Sequence, residues 1–400
     1  MSRVATISGQ IAPSSNDPVI CMAVRTPLTR SRKGPLASAT VEDLLVPLFK
    51  AVAAKVNPAD IGDILIGNCL APGSAQLSVR MASLIAGIPN TVPCASLNRQ
   101  CSSGLQTVAS VAAAITAGHY EVGIAGGVES MSNYNMAEMI KPDLIPEAVF
   151  EHEGAKNVMI PMGITSENVA EKFGISRVTQ DTMAAESHGK AARAQAAGLF
   201  ESEIVPVTVK DVKTGKEIKV TRDDGIRKET TVQSLAALGP AFKPNGTTTA
   251  GNSSQTTDGA ALVLVAKRSY AIKHGLPILA RMTSFAVVGC APEIMGIGPA
   301  LAIPKALSKI GLGVNDIDIF EINEAFASQA TYCVEKLKVP KEKLNPKGGA
   351  IALGHPLGCS GARMIATLLP ELKRTGKKRG IVSMCIGGGM GAAAVIESEQ

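Results

Sequence analysis

Residues Asp63–Asn68 read DILIGN and residues Asp318–Asn323 read DIFEIN, so the two segments share the pattern D-I-x-x-x-N at an offset of 255 positions. A second match follows at an offset of 257 positions, where Ser103-Gly104 and Ser360-Gly361 each open a stretch of helical period. Ordered matches at nearly one offset are typical of a duplicated unit. The chain is therefore predicted to contain two copies of one fold.

Two further matches extend the repeat and indicate an insertion. The apolar segment that ends near Gly126-Gly127 has its counterpart at Ile381–Ser383, again at an offset of 257 positions. The segment Gly259–Val265 resembles Gly391–Ile396, but here the offset falls to 132 positions. The first copy must therefore contain about 125 additional residues, and we place them at 131–250.

Each copy alternates short apolar runs with alanine-rich segments of helical period, such as Gln106–Thr116 and Ala362–Leu372. This alternation predicts an α/β fold in which each half has a mixed sheet covered by helices. We expect the halves to pack about a pseudo-twofold axis, with a site between them. The predicted domains are a leader at 1–16, a first half at 17–130 plus 251–272, an inserted loop domain at 131–250, and a second half at 273–400.

The insertion has local patterns of its own. The segments Ile204–Val212 and Glu217–Thr221 flank Thr214-Gly215 and predict a β-hairpin. Helical periodicity predicts two helices, near Ser166–Phe173 and Thr179–Ala197. The insertion is therefore expected to fold as a separate loop domain.

Composition excludes several classes of protein. The chain has 400 residues, 46% of them hydrophobic, which is enough for a large core over two or three domains. No apolar run approaches the ~18 residues of a membrane helix, and the first twenty or so residues lack the apolar core of a secretory signal. Eight cysteines without CxxC spacing disfavour structural zinc and disulfides and favour a reduced intracellular chain. A net charge of +6 with 3% aromatics disfavours nucleic-acid binding but fits a phosphate-bearing ligand.

Cys101 is the first candidate nucleophile. It lies in Asn98–Gly104, which reads NRQCSSG, directly before an alanine- and valine-rich helical stretch. A thiol there meets the positive end of a helix dipole and unpaired N–H groups, which favour the thiolate. The alternative is a buried structural cysteine, the commonest role of the residue.

His355 lies in Gly349–Gly358, which reads GAIALGHPLG, at what should be the matching strand-to-helix turn of the second half. A core or surface role is the default for any histidine. Because Gly354 and Pro356 constrain its backbone, however, this turn suits a base that holds one orientation beside a thiol.

Cys385 opens the glycine-rich segment Cys385–Gly391, which reads CIGGGMG. The spacing Gly387-x-Gly389-x-x-Ala392 fits a dinucleotide fingerprint, but too few residues follow for the crossover helix that such a site needs. We favour a turn with exposed backbone N–H groups that could bind an oxyanion.

Asn323 falls between a predicted strand and a predicted helix, in a segment that reads EINEAF. A helix N-cap would be sufficient to explain an asparagine at this position.

Together, four segments resemble the active-site motifs of the thiolase family: Asn98–Gly104, Asn323–Phe326, Gly354–Gly358 and Cys385–Gly391. The resemblance extends over nearly the whole chain from about Asp17, and it is closest to the peroxisomal 3-ketoacyl-CoA thiolases. It implies the thiolase fold, in which two pseudo-symmetric halves form a layered αβαβα core.

The resemblance also implies a role for each residue. Cys101 would be the nucleophile that carries the acyl group, His355 its activating base, and Cys385 the acid/base at the α-carbon of acetyl-CoA. Asn323 would hold a water that binds a thioester oxygen together with His355. The N–H groups of Cys101 and Gly387 would form a second oxyanion hole.

For coenzyme A, the resemblance implies contacts with Arg227 and Ser254, and a pocket lined by Met162. Several cations around the predicted hairpin could bind phosphates, although a solvated hairpin face would carry the same charges. They are Lys210, Lys213, Lys216, Lys219, Arg222, Arg227 and Lys228.

The activity implied is thiolysis of 3-ketoacyl-CoA to acetyl-CoA and a shortened acyl-CoA, as in fatty-acid β-oxidation. Coenzyme A would be a substrate, no metal or redox cofactor is implied, and the family usually forms homodimers. Two alternatives remain, an acetyl-CoA C-acetyltransferase that forms acetoacetyl-CoA and a catalytically silent acyl-CoA or lipid carrier.

The amino terminus resembles a peroxisomal targeting signal of the form R-[LVI]-x5-[HQ]-[LA]. Arg3-Val4 and Gln10-Ile11 have the required spacing, although the final isoleucine departs from the pattern. The signal predicts binding to a peroxisomal import receptor and a location in the peroxisomal matrix. The alternative is a disordered leader on a cytoplasmic enzyme.

Overall fold

The computed structural model describes residues 13–211 and 214–400. The predicted targeting signal lies outside the described residues. The strands are β1 (Pro18–Arg25), β2 (Thr29–Arg30), β3 (Asp63–Gly67), β4 (Cys94–Leu97), β5 (Val122–Ser130), β6 (Val207–Lys210), β7 (Glu217–Val220), β8 (Thr257–Lys267), β9 (Ala280–Gly289), β10 (Ile319–Ile322), β11 (Arg379–Ile386) and β12 (Met390–Ser398). The α-helices are α1 (Val41–Ala53), α2 (Gln76–Ile85), α3 (Ser103–Ala117), α4 (Glu147–Glu151), α5 (Glu153–Asn157), α6 (Met162–Phe173), α7 (Arg177–Ala196), α8 (Val232–Ala236), α9 (Arg268–Lys273), α10 (Gly298–Ser308), α11 (Ala327–Leu337), α12 (Ala350–Leu353) and α13 (Ser360–Thr375).

The sheets of the two halves have the same topology. In the first half the order is β1-β8-β5-β3-β4, with β8 antiparallel to both neighbours and β3 parallel to β5 and β4. In the second half the order is β9-β12-β11-β10, with β12 antiparallel to both neighbours and β10 parallel to β11. The duplication predicted from the sequence is therefore confirmed.

The second half differs from the first at its outer edge. The counterpart of β4 is reduced to a single parallel bridge between Leu344 and Phe320. In the centre, a single pair between β1 and β9, at Ile20 and Ala280, connects the sheets of the two halves into a ten-stranded arrangement.

The predicted five layers are present. Helices α3 and α13 form the middle layer, and their apolar side chains share one cluster with strands from both halves. Helix α1 covers the outer face of the first half, and α10 covers the outer face of the second. Helix α13 is buried on nearly every side, as expected for a helix between two sheets.

Two glycines allow the middle helices to meet. A Cβ on Gly104 would lie 2.7 Å from the carbonyl oxygen of Gly358, and a Cβ on Gly361 would lie 2.4 Å from the backbone nitrogen of Leu105. Any side chain at either position would force the helix starts apart. This contact explains the repeated Ser-Gly pair. It also brings the segment before each helix to the interface between the two halves.

The chain leaves the first sheet after β5 and returns to it with β8. Between these strands, β6 and β7 form the predicted hairpin with shorter strands, and α6 and α7 correspond to the predicted helices. The limits proposed for the four domains stay a prediction. None of the described helices is long and apolar enough to cross a membrane.

Candidate active site

Cys101 lies in a tight turn between β4 and α3. The preceding residue, Gln100, has a φ of +48°, an unusual backbone conformation for a residue other than glycine. The Ser103 hydroxyl accepts a hydrogen bond from the Arg99 N–H (2.9 Å) and donates one to the Gln100 carbonyl (2.6 Å). The turn is thus held by the first residue of the helix.

The glycine-rich segment forms the turn of a β-hairpin. Strands β11 and β12 are antiparallel, with Ile386 opposite Met390. Gly388 and Gly389 have φ angles of +83° and +91°, which favour glycine. A strand follows this turn instead of a helix, which is incompatible with the dinucleotide-binding motif.

The two turns meet beside Cys101, where the position of a Cβ on Gly387 lies 3.7 Å from the Gln100 side chain. The backbone N–H groups of Gly387 and of Cys101 itself act to lower the pKa of the Cys101 thiol. Burial acts more strongly and raises this pKa to about 11. The two N–H groups thus favour the thiolate, as expected at a helix start, but desolvation outweighs them in the free protein.

Cys385 is the last residue but one of β11, and it is 1% exposed. It packs in an apolar cluster with Met295, Ala325, Phe326 and Met162. Burial, followed by the negative charge that Cys101 would carry, raises the pKa of Cys385 well above its ordinary value. This thiol is therefore a neutral proton donor near the first thiol.

His355 is buried, and its ring is fixed by two contacts. The Nδ1 atom lies 2.6 Å from the Ser360 hydroxyl, and the Nε2 atom lies 3.4 Å from the Asn323 side-chain nitrogen. Burial, followed by the charge of Arg363, lowers the pKa of His355 to about 3. The imidazole is thus neutral at physiological pH and able to accept a proton.

The turn that carries His355 differs from the prediction. It connects α12 to the short 3₁₀ helix Leu357–Cys359 and then α13, so it is a helix-to-helix turn and not a strand-to-helix turn. The reason is the loss of the outer strand in the second half. Gly354 turns the chain with a φ of +101°.

Asn323 does not cap a helix. Helix α11 begins only at Ala327, with Phe326 in the capping position, and the Asn323 N–H binds the Ser383 carbonyl at 2.9 Å. The side chain is 1% exposed, and its Oδ1 atom has no hydrogen-bond partner among the described residues. The N-cap interpretation is therefore wrong, and the amide faces the histidine instead.

Two of the three residues implied for coenzyme A lie next to this cluster. Met162 begins α6, and its sulfur lies 3.8 Å from the position of a Cβ on Gly387. Ser254 is half-buried, and its N–H donates to the Ala325 carbonyl. Arg227 instead lies on an exposed segment, where its N–H binds Nδ1 of His188.

Sequence reasoning missed two residues that support the site. Ser360, which contacts His355, was noted only as a repeat match, although its counterpart Ser103 holds the other turn. Glu129 is a fully buried carboxylate in β5. The sequence indicated Glu129 by placing one charged residue within a run of otherwise apolar or small residues, Val122–Ser130.

Comparison with known proteins identifies relatives of this arrangement. Residues 18–269 match the family model of the thiolase N-terminal domain, and residues 276–398 match that of the thiolase C-terminal domain. The chain is 56% identical over 397 residues to human peroxisomal 3-ketoacyl-CoA thiolase, covering 98% of this chain and 93% of the relative. It is 55% identical to peroxisomal 3-ketoacyl-CoA thiolase 2 of Arabidopsis thaliana, covering 96% of this chain and 84% of the relative.

Solved structures show the same similarity in three dimensions. The dimeric peroxisomal thiolase of Saccharomyces cerevisiae matches with a TM-score of 0.91 and 46% identity, covering 97% of this chain and 99% of that one. An acetyl-CoA acetyltransferase of Bacillus anthracis matches with a TM-score of 0.87 and 38% identity, covering 96% and 98%. Both family models and all four relatives lead to one conclusion: the chain belongs to the thiolase family.

Proposed function

We propose that this protein is a 3-ketoacyl-CoA thiolase, an acyltransferase that cleaves 3-ketoacyl-CoA with coenzyme A in fatty-acid β-oxidation. The products are acetyl-CoA and an acyl-CoA shortened by the acetyl unit. The observation that carries the proposal is the meeting of two cysteine-bearing segments from different halves. The glycine turn that follows Cys385 packs on the turn of Cys101, with the position of a Cβ on Gly387 3.7 Å from the Gln100 side chain.

In the first stage, His355 accepts the proton of Cys101 and the thiolate attacks the C3 carbonyl of the substrate. The N–H groups of Cys101 and Gly387 stabilise the alkoxide that forms. Its collapse breaks the bond between C2 and C3 and leaves the electron pair on the acetyl-CoA enolate. Cys385 then donates its proton to C2, which releases acetyl-CoA and leaves an acyl group on Cys101.

In the second stage, the thiol of a new coenzyme A loses its proton and attacks the acyl thioester. The proton of coenzyme A restores the Cys385 thiol. The sulfur of Cys101 leaves as a thiolate and regains its proton from His355, so the overall reaction is balanced without an oxidant. Asn323 contributes through a water that, with His355, binds the thioester oxygen of the enolate. The unpaired and buried Oδ1 atom of Asn323 supports this role.

Coenzyme A is proposed to bind along the inserted loop domain. Met162 and Ser254, which border the catalytic cluster, would contact the part of coenzyme A that enters the site. The exposed Arg227 would reach its phosphates, because a guanidinium binds phosphate well.

The relatives named as peroxisomal support a peroxisomal location, and the amino-terminal signal would bind the import receptor. A homodimer is supported by the dimeric yeast relative and by the apolar stripe of α2, which consists of Leu77, Met81 and Ile85, exposed by 75%, 49% and 61%. This helix lies beside β4, an edge strand available for pairing.

Incubation of purified protein with coenzyme A and a series from acetoacetyl-CoA to 3-ketohexadecanoyl-CoA tests the function. Mass spectrometry should detect acetyl-CoA and the shortened acyl-CoA from the longer substrates, and none from the Cys101→Ala variant. Turnover of acetoacetyl-CoA alone would favour the acetyltransferase, which the Bacillus anthracis relative represents. Absence of acetyl-CoA from every substrate would refute the proposal.

A further inference from the structure

Glu129 makes hydrogen bonds to both halves of the molecule. Its Oε1 atom accepts from the Asn68 side chain (3.0 Å) and the Leu70 N–H (3.1 Å). Its Oε2 atom accepts from the Cys69 N–H (3.0 Å) and the Gly358 N–H (3.0 Å). One buried carboxylate thus satisfies four donors.

These donors belong to the two segments that support the reacting groups. Cys69 and Leu70 pack in one apolar cluster with Cys101 and Leu357. Gly358 lies three residues after His355, in the turn that leads to α13. Glu129 therefore connects the surroundings of the nucleophile in the first half to the turn of the base in the second.

A neutral side chain could not replace this carboxylate. A glutamine would direct its NH₂ group at one of the two donor pairs, because only an ionised carboxylate accepts at both oxygens. Within the described part of the chain, no lysine, arginine or histidine forms a salt bridge with Glu129. When ionised, Glu129 is thus a buried charge that is balanced by hydrogen bonds alone, which is a costly arrangement.

The charge also acts on nearby thiols. Burial is the main reason that the pKa values of Cys69, Cys101 and Cys359 are raised, and the negative charge of Glu129 raises each one further. At Cys359 the charges of Arg363 and Arg25 oppose this effect. Burial raises the pKa of Glu129 itself to about 7, so it is ionised at the alkaline pH where thiols titrate.

We propose that Glu129 is a positioning residue for thiolysis, which locks the Cys101 segment of the first half to the His355 turn of the second. The inference rests on the proposed function, because the rate that tests it is the rate of thiolysis. It assigns Glu129 no contact with substrate. Its loss should therefore lower kcat and leave KM nearly unchanged.

Two substitutions separate geometry from charge. Glu129→Asp keeps the charge but shortens the side chain, so it cannot reach both halves. We expect kcat to fall about 100-fold, the cost of a displacement near 1 Å, with the pH dependence of Cys101 alkylation unchanged. Glu129→Gln keeps the length but removes the charge, so Cys101 should react with iodoacetamide at lower pH than in the wild type.

Glu167→Gln is the matched control. Glu167 is also a buried carboxylate, and it accepts from the N–H groups of Thr247 and Thr248. Glu167→Gln should leave the pH dependence of Cys101 alkylation unchanged. Alkylation is quantified on the Cys101 peptide by mass spectrometry, and thermal unfolding confirms that each variant is folded.

The inference is overturned if Glu129→Asp retains kcat within about twofold of the wild type, since loss of positioning near a reacting group costs far more. It is also overturned if Glu129→Gln leaves the alkylation profile unmoved, or if Glu167→Gln moves it equally. Should Glu129→Gln fail to fold, Glu129→Asp carries the test. The alkylation measurement does not depend on thiolysis activity. Failure of the proposed function can therefore be distinguished from failure of this inference.

Discussion

Removal of each of the two cysteines proposed to be catalytic should cause a different defect. In the proposed mechanism only Cys101 bonds to the acyl group, whereas Cys385 is needed only when a proton moves at C2. Cys101→Ala should therefore show no covalent mass increase with acetyl-CoA. Cys385→Ala should still gain the acetyl mass on Cys101, because His355 is sufficient for transfer between sulfur atoms.

The expected rate loss follows from the role and burial of Cys385. A positioned acid or base contributes ~10²- to 10⁴-fold, so thiolysis by Cys385→Ala should fall by that factor. Removing one buried sulfur costs only about 1 kcal/mol of stability, comparable to a buried methylene. The surrounding Met295 and Met162 side chains can adjust to the space. The variant should thus remain folded, and its rate loss will report chemistry.

Intact-protein mass spectrometry and a thiolysis assay on the same preparations measure both outcomes. The reasoning is refuted if Cys385→Ala thiolyses acetoacetyl-CoA near the wild-type rate. It is equally refuted if Cys101→Ala becomes acetylated at Cys385.

Three further predictions concern stability and assembly. Arg25→Met removes the buried cation that pairs with Glu203 (2.6 Å) and Asp223 (2.7 Å). It should lower the free energy of unfolding, measured by urea titration, by about 3–5 kcal/mol. A loss below about 1 kcal/mol, which is typical of an exposed ion pair, would contradict this prediction. Burial, followed by the charge of Arg227, lowers the pKa of His188 to about 4. As the pH falls below about 6.5, the ordinary pKa of histidine, the unfolded chain binds a proton at His188 and the folded chain does not, so the stability of the wild type relative to His188→Gln should decrease towards pH 4. A stability difference that does not depend on pH would contradict this prediction. Leu77→Glu places a charge on the apolar stripe of α2 and should shift the dimer to monomer in analytical ultracentrifugation, whereas an unchanged sedimentation coefficient would place the interface elsewhere.

Local sequence patterns predicted the repeated elements well. Helices α3 and α13 begin at the repeated Ser103 and Ser360, and the hairpin turn lies where the glycines indicate. These features depend on residues close in sequence, whose periodicity and turn chemistry can be read directly.

Other features depend on contacts that the sequence does not display. The raised pKa of Cys101 results mainly from burial, which its position before a helix does not display. The turn before His355 changed because the outer strand of the second half shrank to the bridge at Leu344. Glu129 meets Gly358 across 229 positions of sequence, and no local pattern indicates that pairing.

The duplication itself explains how one site can have several specialised groups. Asn68 and Asn323 directly follow equivalent strands. The Asn68 amide hydrogen-bonds to backbone groups and to Glu129 in the first half, whereas the Asn323 amide faces His355. Ser103 and Ser360 begin equivalent helices, but the first holds the backbone of the nucleophile turn and the second holds the imidazole. In each pair one copy keeps a structural role, so the other copy is free to serve catalysis at a position that the shared fold already fixes. The two halves can therefore supply unlike groups to one interface without any change of topology.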